Sequence, residues 1–152
     1  MSTYEHSNII HRPIEEVYKN ATCLKGCINW QASVLQTEQV GDDPLHVGSR
    51  YKHNIKFMGI TAQTQPEVTV HNPPYEFAFR DPDAPVHFET FFNFEEVPEG
   101  TRFTVRIESE LSQSFLGRLA LPLFLNALKR QFDTDMASLK DLLESDVIVH
   151  AQ

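Results

Sequence analysis

The chain is poor in the residues that bind nucleic acid or cross membranes. Its 152 residues include 13 lysines and arginines against 21 aspartates and glutamates, a net charge of −8. Phosphate backbones and anionic lipid surfaces are bound through basic clusters, so we expect neither as a partner. The longest apolar stretch, FLGRLALPLFLNAL, is interrupted by Arg118 and Pro122 and is too short to span a bilayer, so we expect no membrane insertion.

Cysteine is also scarce. Cys23 and Cys27 are the only two, and no second pair or nearby histidine completes a zinc site, so we expect no metal. Their spacing permits a disulfide as well as two reduced thiols, and a reducing cytoplasm favours the thiols. The start, MSTYEHSNIIHRP, has no basic residues followed by an apolar run, so we expect no signal peptide and a cytoplasmic protein.

The motifs of many enzymes are missing too. The six glycines are scattered at turns and form no phosphate-binding loop, and the sequence contains neither G-x-S-x-G nor H-E-x-x-H. We therefore expect no cofactor. Any function has to be inferred from the side chains that strands and helices turn toward the interior.

What is present is a regular order of strands and helices in one domain, residues 1–152. Residues 4–11 predict a strand, PIEEVYKNA a helix with proline in its first turn, and CLKGCINW a short helix or turn. Strand-like runs follow at 31–40, 49–57, 60–71, 75–80, 86–97 and 101–112. The last third carries a helical stripe, made of Leu121, Leu125, Leu128, Phe132, Met136, Leu139 and Leu143. Pro122 predicts either a kink or a helix that begins near it.

The runs 86–97 and 101–112 predict a hairpin with a definite register. Folding the chain at Pro98-Glu99 sets Phe94 opposite Phe103 and Phe92 opposite Val105 on one face. The other face then pairs Glu95 with Arg102, and Phe91 with Arg106. Apolar side chains meet and opposite charges meet, as cross-strand pairing favours. A slip of one residue destroys both matches.

The order of these elements resembles a known superfamily. The segment IIHRPIEEVYKNATCLKGCINW with its final Trp30, VGSRYK, EGTRFTV and LKDLLES together resemble SRPBCC proteins, also called START-like or helix-grip proteins, in their polyketide cyclase/dehydrase-like branch. The resemblance implies an α+β fold. A curved seven-stranded antiparallel sheet wraps around a long C-terminal helix, with two short helices after the first strand. It also implies an apolar cavity in which relatives bind lipids, polyketides or similar molecules, and no shared catalytic motif.

Polar residues on faces predicted to be interior point to such a cavity. In RYKHNIKF, residues 50–57, His53 alternates onto the same face as Tyr51, Ile55 and Phe57. If Ile10 packs inward, the first strand also turns Tyr4, His6 and Asn8 inward, and Thr64, Thr90 and Ser109 join the set. His6 and Asn8 either face the cavity or are exposed or locally bonded, and Thr90 and Ser109 can instead bond to the backbone. Buried polar groups cost free energy unless they have partners. His53 is therefore either a polar anchor for a ligand or a histidine bonded to a neighbouring side chain.

We expect the cavity to be lined by side chains from the sheet and from the long helix. The expected set is Asn8, Trp30, Tyr51, His53, Phe77, Phe79, Phe88, Thr90, Phe92, Val105, Ile107, Ser109, Leu119, Leu123 and Asn126. Asn126 either meets a ligand oxygen or caps the distortion at Pro122. Residues 115–125 are expected to line the mouth and to act as a gate.

The function predicted from this pattern is binding of a small, mostly apolar molecule between sheet and helix. A first alternative is a cyclase- or dehydratase-type enzyme with His53 as general acid or base. A second is a protein-interaction module that uses the outward Phe91 and Phe115. A monomer and a homodimer both fit the sequence.

Overall fold

The computed structural model describes residues 2–82, 87–109 and 115–145. Its elements are β1 (Ser2–Ile10), α1 (Ile14–Thr22), a 3₁₀ helix (Leu24–Asn29), β2 (Val34–Val40), β3 (Arg50–Phe57), β4 (Ile60–Thr64), β5 (Glu67–Asn72), β6 (Glu76–Arg80), β7 (Phe88–Val97), β8 (Gly100–Ser109) and α2 (Phe115–Glu144). The strands form one antiparallel sheet in the order β1-β8-β7-β6-β5-β3-β2, with β4 beside β3. The predicted α+β helix-grip fold is confirmed.

The run 60–71, predicted as one strand, is two. β4 ends at Thr64 and β5 begins at Glu67, with Gln65 and Pro66 between them. Proline has no N–H for the ladder, so the strand is interrupted there. β4 folds back onto β3 as a hairpin, whereas β5 meets β3 only at Arg50 and otherwise pairs with β6. The sheet therefore has eight strands, of which seven follow the main path.

The register predicted for the β7–β8 hairpin is confirmed. Phe94 lies opposite Phe103, and Phe92 lies opposite Val105. On the outer face the Arg102 Nη1 atom is 3.1 Å from Glu95 Oε2. The Arg106 guanidinium lies 4.4 Å from the centre of the Phe91 ring. Phe91, considered above as part of an interface, is thus half-covered by Arg106. The side chain of Phe115, the other residue of that interface, lies outside the described side chains.

The C-terminal half of α2 packs across β1. Met136, Leu139 and Leu143 of the predicted stripe are buried. The Asn8 amide donates to the Met136 carbonyl at 3.1 Å, and the Tyr4 hydroxyl donates to the Asp133 carboxylate. These contacts confirm that β1 turns its even-numbered residues inward. Within the described residues, no helix has both the length and the apolarity to cross a membrane.

The N-terminal half of α2 differs from the expectation. The helix begins at Phe115, so a helix starting near Pro122 is wrong, while the kink stays a prediction. Leu123 is 68% exposed and Asn126 is exposed as well, so neither faces the sheet. At about 100° per residue, Leu123 lies on the opposite side of the helix from the buried stripe and Asn126 lies on its flank. The side chain of Leu119, expected on the same face, lies outside the described side chains, as do those of residues 115–121 of the gate expected at 115–125.

α1 and the 3₁₀ helix cover one end of the sheet. Ile14, Val17, Tyr18 and Ala21 recur at helical spacing and are buried. The turn after the 3₁₀ helix is fixed to α2, because the buried Asp135 accepts the Ala32 N–H at 3.1 Å and the Gln131 amide at 2.8 Å. Burial raises the pKa of Asp135, and these two hydrogen bonds partly offset the effect. α1 itself packs against β7, β8 and the 3₁₀ helix.

Candidate functional site

His53 lies on the buried face of β3, as the alternation predicts. Tyr51 and His53 are buried while Lys52 and Asn54 are exposed. The His53 side chain is 7% exposed, and its Nε2 atom has no hydrogen-bond partner in the described part of the chain. Burial lowers the pKa of His53, so the ring is neutral near neutral pH. His53 Nε2 is thus not bonded to a neighbouring side chain among the described residues, and its role as a ligand anchor stays a prediction.

The predicted aromatic residues form one cluster further along the sheet. The Phe92 ring centre lies 5.9 Å from Phe77, 5.6 Å from Phe79 and 6.0 Å from Trp30. Around it Thr90, Val105, Ile107 and Ser109 are buried, and Phe88 is half-buried. These residues fill the interior, so the structure brings them together as a core. Their contact with a ligand stays a prediction.

Asn8 stands apart from that cluster. Its amide nitrogen bonds α2, and its Oδ1 atom is buried without a hydrogen-bond partner in the described part of the chain. Its neighbour His6 places Nδ1 3.5 Å from the Asp133 carboxylate. These contacts attach β1, at the edge of the sheet, to α2. They explain the position of Asn8 without a ligand.

A pocket of about 620 Å³ opens between α1, the loop after β2 and the turn after β5. We call it the α1 pocket. It is lined by Glu15, Tyr18, Lys19, Thr22, Cys23, Gln39, Asp43, Pro44, Leu45, Tyr51, His71, Pro73 and Pro74. Of the residues expected to line a cavity, Tyr51 alone belongs to this set. Most of the lining surface is apolar, as is typical of small-molecule sites, and the polar groups include those of Glu15, Lys19, Thr22, Gln39, Asp43 and His71.

Tyr18 and His71 form the polar centre of the α1 pocket. The Tyr18 hydroxyl lies 2.8 Å from His71 Nδ1 and 3.0 Å from the Glu76 carbonyl oxygen. Burial raises the pKa of Tyr18 to about 12, although a hydrogen bond from the Asn72 backbone lowers it in part. Burial and the neighbouring His46 lower the pKa of His71. Both groups are therefore uncharged near neutral pH.

Sequence reasoning missed this pair because of a β-bulge. The pairing of β5 with β6 shifts between Val68 and Val70, so that His71 pairs with Phe77 on the inner face. Strict alternation from the buried Val68 puts His71 outside, and one extra residue reverses the parity. Tyr18 had a usable signal, since it falls on the apolar stripe of α1.

The rim of the pocket carries a free thiol. Cys23 is exposed and unpaired, and Cys27 is free and buried. Burial and the neighbouring Cys23 raise the pKa of Cys27 to about 11, so it stays a thiol. Burial, with Cys23 again contributing, raises the pKa of Tyr51 and keeps its hydroxyl protonated. Among the described residues no three His, Cys, Asp or Glu side chains come close enough to hold a metal ion.

Comparison with known proteins gives one family and several solved structures of the same fold. The family model described as polyketide cyclase / dehydrase and lipid transport matches residues 1–144. The protein TTHA0849 from Thermus thermophilus is 20% identical with a TM-score of 0.79 over 99% of each chain. The Aha1 dimer from Colwellia psychrerythraea is 21% identical with a TM-score of 0.70 over 95% of this chain and 98% of that one.

A third structure is a biosynthetic protein. The di-domain ARO/CYC BexL from the BE-7585A biosynthetic pathway is 15% identical with a TM-score of 0.77, over 95% of this chain and 50% of BexL. At such identities the likeness shows the fold alone. A sequence comparison with curated proteins finds no match.

Proposed function

Because the chain belongs to the polyketide cyclase / dehydrase and lipid transport family, we propose that it binds a small, mostly apolar organic molecule on the inner side of its sheet. The observation that carries the proposal is the α1 pocket. Its volume, about 620 Å³, lies within the roughly 300–1,000 Å³ of typical ligand sites. Leu45, Pro73 and Pro74 offer an apolar wall, and Tyr18 and His71 offer polar groups at its base.

The proposed ligand path continues from the pocket toward His53. Tyr51 lines the pocket and is the strand neighbour of His53, and the two ring centres are 6.3 Å apart. In this proposal a ligand enters beside α1, packs on Tyr51, and places a polar group near the unpartnered Nε2 of His53. The predicted site between the sheet and α2 is then the deep end of the same path.

Catalysis is the second candidate function, and one observation favours it. A cyclase or dehydratase needs at least two inward titratable groups within hydrogen-bond reach of each other or of one ligand atom. The 2.8 Å contact of Tyr18 with His71 meets this requirement at the α1 pocket. His53 remains the general acid or base predicted from the sequence. A protein-interaction module is less well supported, since such a module needs no ligand-sized pocket.

The test of the proposed function is native mass spectrometry of the purified protein, followed by solvent extraction of whatever co-purifies. We expect a bound organic species of low polarity, whose mass disappears after extraction. The same protein is then titrated with an apolar fluorescent probe. A clean apo mass together with no probe binding contradicts the proposal and favours a protein partner.

Replacing His53 by Phe separates the effect of His53 on stability from its effect on ligand binding. We expect His53→Phe to raise the free energy of unfolding by about 1 kcal/mol at neutral pH, because a buried unpartnered nitrogen is removed. We also expect it to weaken binding of the extracted ligand about tenfold, since a polar anchor is lost. Urea unfolding and ligand titration measure the two effects. Greater stability with unchanged affinity contradicts the anchor role.

The same variant has a pH signature. Burial lowers the pKa of His53 below its ordinary 6.5, so the unfolded chain takes up a proton while the folded ring stays neutral. Wild-type stability therefore falls as pH drops from 6.5 toward the lower folded pKa. His53→Phe is expected to lose less stability over that window. Equal losses in both proteins contradict the lowered pKa.

A further inference from the structure

We propose that His71 accepts a hydrogen bond from a hydroxyl group of the ligand, so that the α1 pocket selects uncharged alcohols or phenols with an apolar body and rejects carboxylates. The inference rests on the proposed function and specifies its ligand class. His71 is the ligand-contacting residue, and Tyr18 is a positioning residue that acts through it.

The hydrogen bonds of Tyr18 determine which nitrogen of His71 carries the proton. Besides the hydrogen bond from the Asn72 backbone, which its oxygen accepts, the Tyr18 hydroxyl has one proton and two further partners, the Glu76 carbonyl oxygen at 3.0 Å and His71 Nδ1 at 2.8 Å. A carbonyl only accepts, so the hydroxyl donates to Glu76 and His71 Nδ1–H donates to the Tyr18 oxygen. The neutral ring then has its lone pair on Nε2.

Nε2 of His71 is available to a ligand. His71 lines the α1 pocket, and Nε2 makes no hydrogen bond within the described part of the chain. The ring is held in place by Tyr18 at 5.9 Å and by the edge-on Phe77 at 6.3 Å between centres. A fixed ring with a free acceptor recognises a donor at one position, which a hydroxyl group supplies.

The same geometry disfavours an acid. A carboxylate only accepts hydrogen bonds, and it meets a lone pair at Nε2 with no proton between them. At the mouth Glu15 and Asp43 outnumber Lys19, so the exposed charges do not attract an anion. The polar group of the preferred ligand is therefore an uncharged donor.

Three probes of equal ring size test the inference in wild-type protein at neutral pH. They are 2-naphthol, its methyl ether, which lacks the donor, and 2-naphthoate, which is an anion. We expect the methyl ether to bind about fivefold to tenfold more weakly than 2-naphthol, and 2-naphthoate at least tenfold more weakly. Equal affinity for 2-naphthol and its ether overturns the inference but still supports the α1 pocket as a binding site. If none of the three probes binds, the proposed function fails as well.

His71→Phe supplies the matched variant. It keeps a ring of similar size and leaves the Tyr18 hydroxyl bonded to Glu76. We expect its affinity for 2-naphthol to fall about fivefold to tenfold, to the level of the ether, while affinity for the ether is unchanged. His87→Phe, at an exposed histidine outside the α1 pocket, is the control and is expected to bind all three probes like wild type. An equal loss for 2-naphthol and the ether in His71→Phe overturns the inference.

The positioning role of Tyr18 has its own readout. Nitrogen NMR of the His71 ring is expected to show the proton on Nδ1 in wild type. In Tyr18→Phe the acceptor is lost, and we expect the tautomer population to move toward Nε2–H and the preference for 2-naphthol to shrink. A wild-type ring protonated on Nε2 overturns the assignment.

Discussion

Gly100→Ala is expected to destabilise the protein by about 3–5 kcal/mol and to lower its melting temperature by roughly 10 °C. Gly100 has a φ of 143°, which an L side chain rarely adopts. A Cβ there meets the Ile10 carbonyl oxygen at 2.4 Å and the Arg12 nitrogen at 2.9 Å. Both obstacles are backbone atoms, so relief requires the strands to separate. Thermal and urea unfolding measure the loss.

Gly41→Ala is the matched control. Gly41 also has a positive φ, 90°, but nothing lies within 4 Å of its added Cβ. We expect a cost of about 1 kcal/mol there, from backbone conformation alone. Equal losses at the two glycines contradict the close approach of the β7–β8 turn to the end of β1.

The close approach of Gly100 to the end of β1 matters for the site because it fixes the position at which α1 begins. Thr101 donates its hydroxyl hydrogen bond to the Arg12 carbonyl at 2.8 Å, and His11 Nδ1 lies 3.1 Å from the Glu99 carbonyl oxygen. α1 starts immediately afterwards at Ile14 and carries Tyr18 to the pocket. The β7–β8 turn thus helps to position α1, which forms one wall of the α1 pocket.

Local periodicity was enough to predict the elements whose partners are neighbours in sequence. The β7–β8 register followed from facing pairs such as Phe94 with Phe103, because a hairpin brings together residues a few positions apart. The inward face of β3 followed from alternation alone. The split at Pro66 is hard to predict, because strand-like residues flank the proline on both sides.

The site was less predictable, for two physical reasons. A bulge changes the facing of every later residue in its strand, and no pattern around Val68 and Val70 announces it. The α1 pocket also joins segments far apart in sequence, so Leu45 and His71 become neighbours only through the fold. His53 was found because its strand is regular. Leu123 and Asn126 have the spacing of one helical stripe, but that stripe lies at a different angle on α2 from the buried one.

Leu45→Trp is expected to block the α1 pocket. Leu45 lines the pocket from the loop between β2 and β3 and packs partly against the core. An indole there occupies space that a ligand needs, because interiors are close-packed and yield little volume. We expect affinity for the methyl ether of 2-naphthol to fall at least about a hundredfold, which corresponds to about 2.7 kcal/mol. The ether reports on space alone, since it donates nothing to His71.

Val47→Trp controls for the added indole. Val47 lies in the same loop but is 58% exposed and outside the pocket lining, so its variant is expected to bind like wild type. Urea unfolding is expected to show both variants folded, because both positions lie in a loop and neither side chain is fully buried. If Leu45→Trp binds the ether normally, the ligand does not use the α1 pocket. The space between α2 and the sheet, reached past His53, then becomes the site to test.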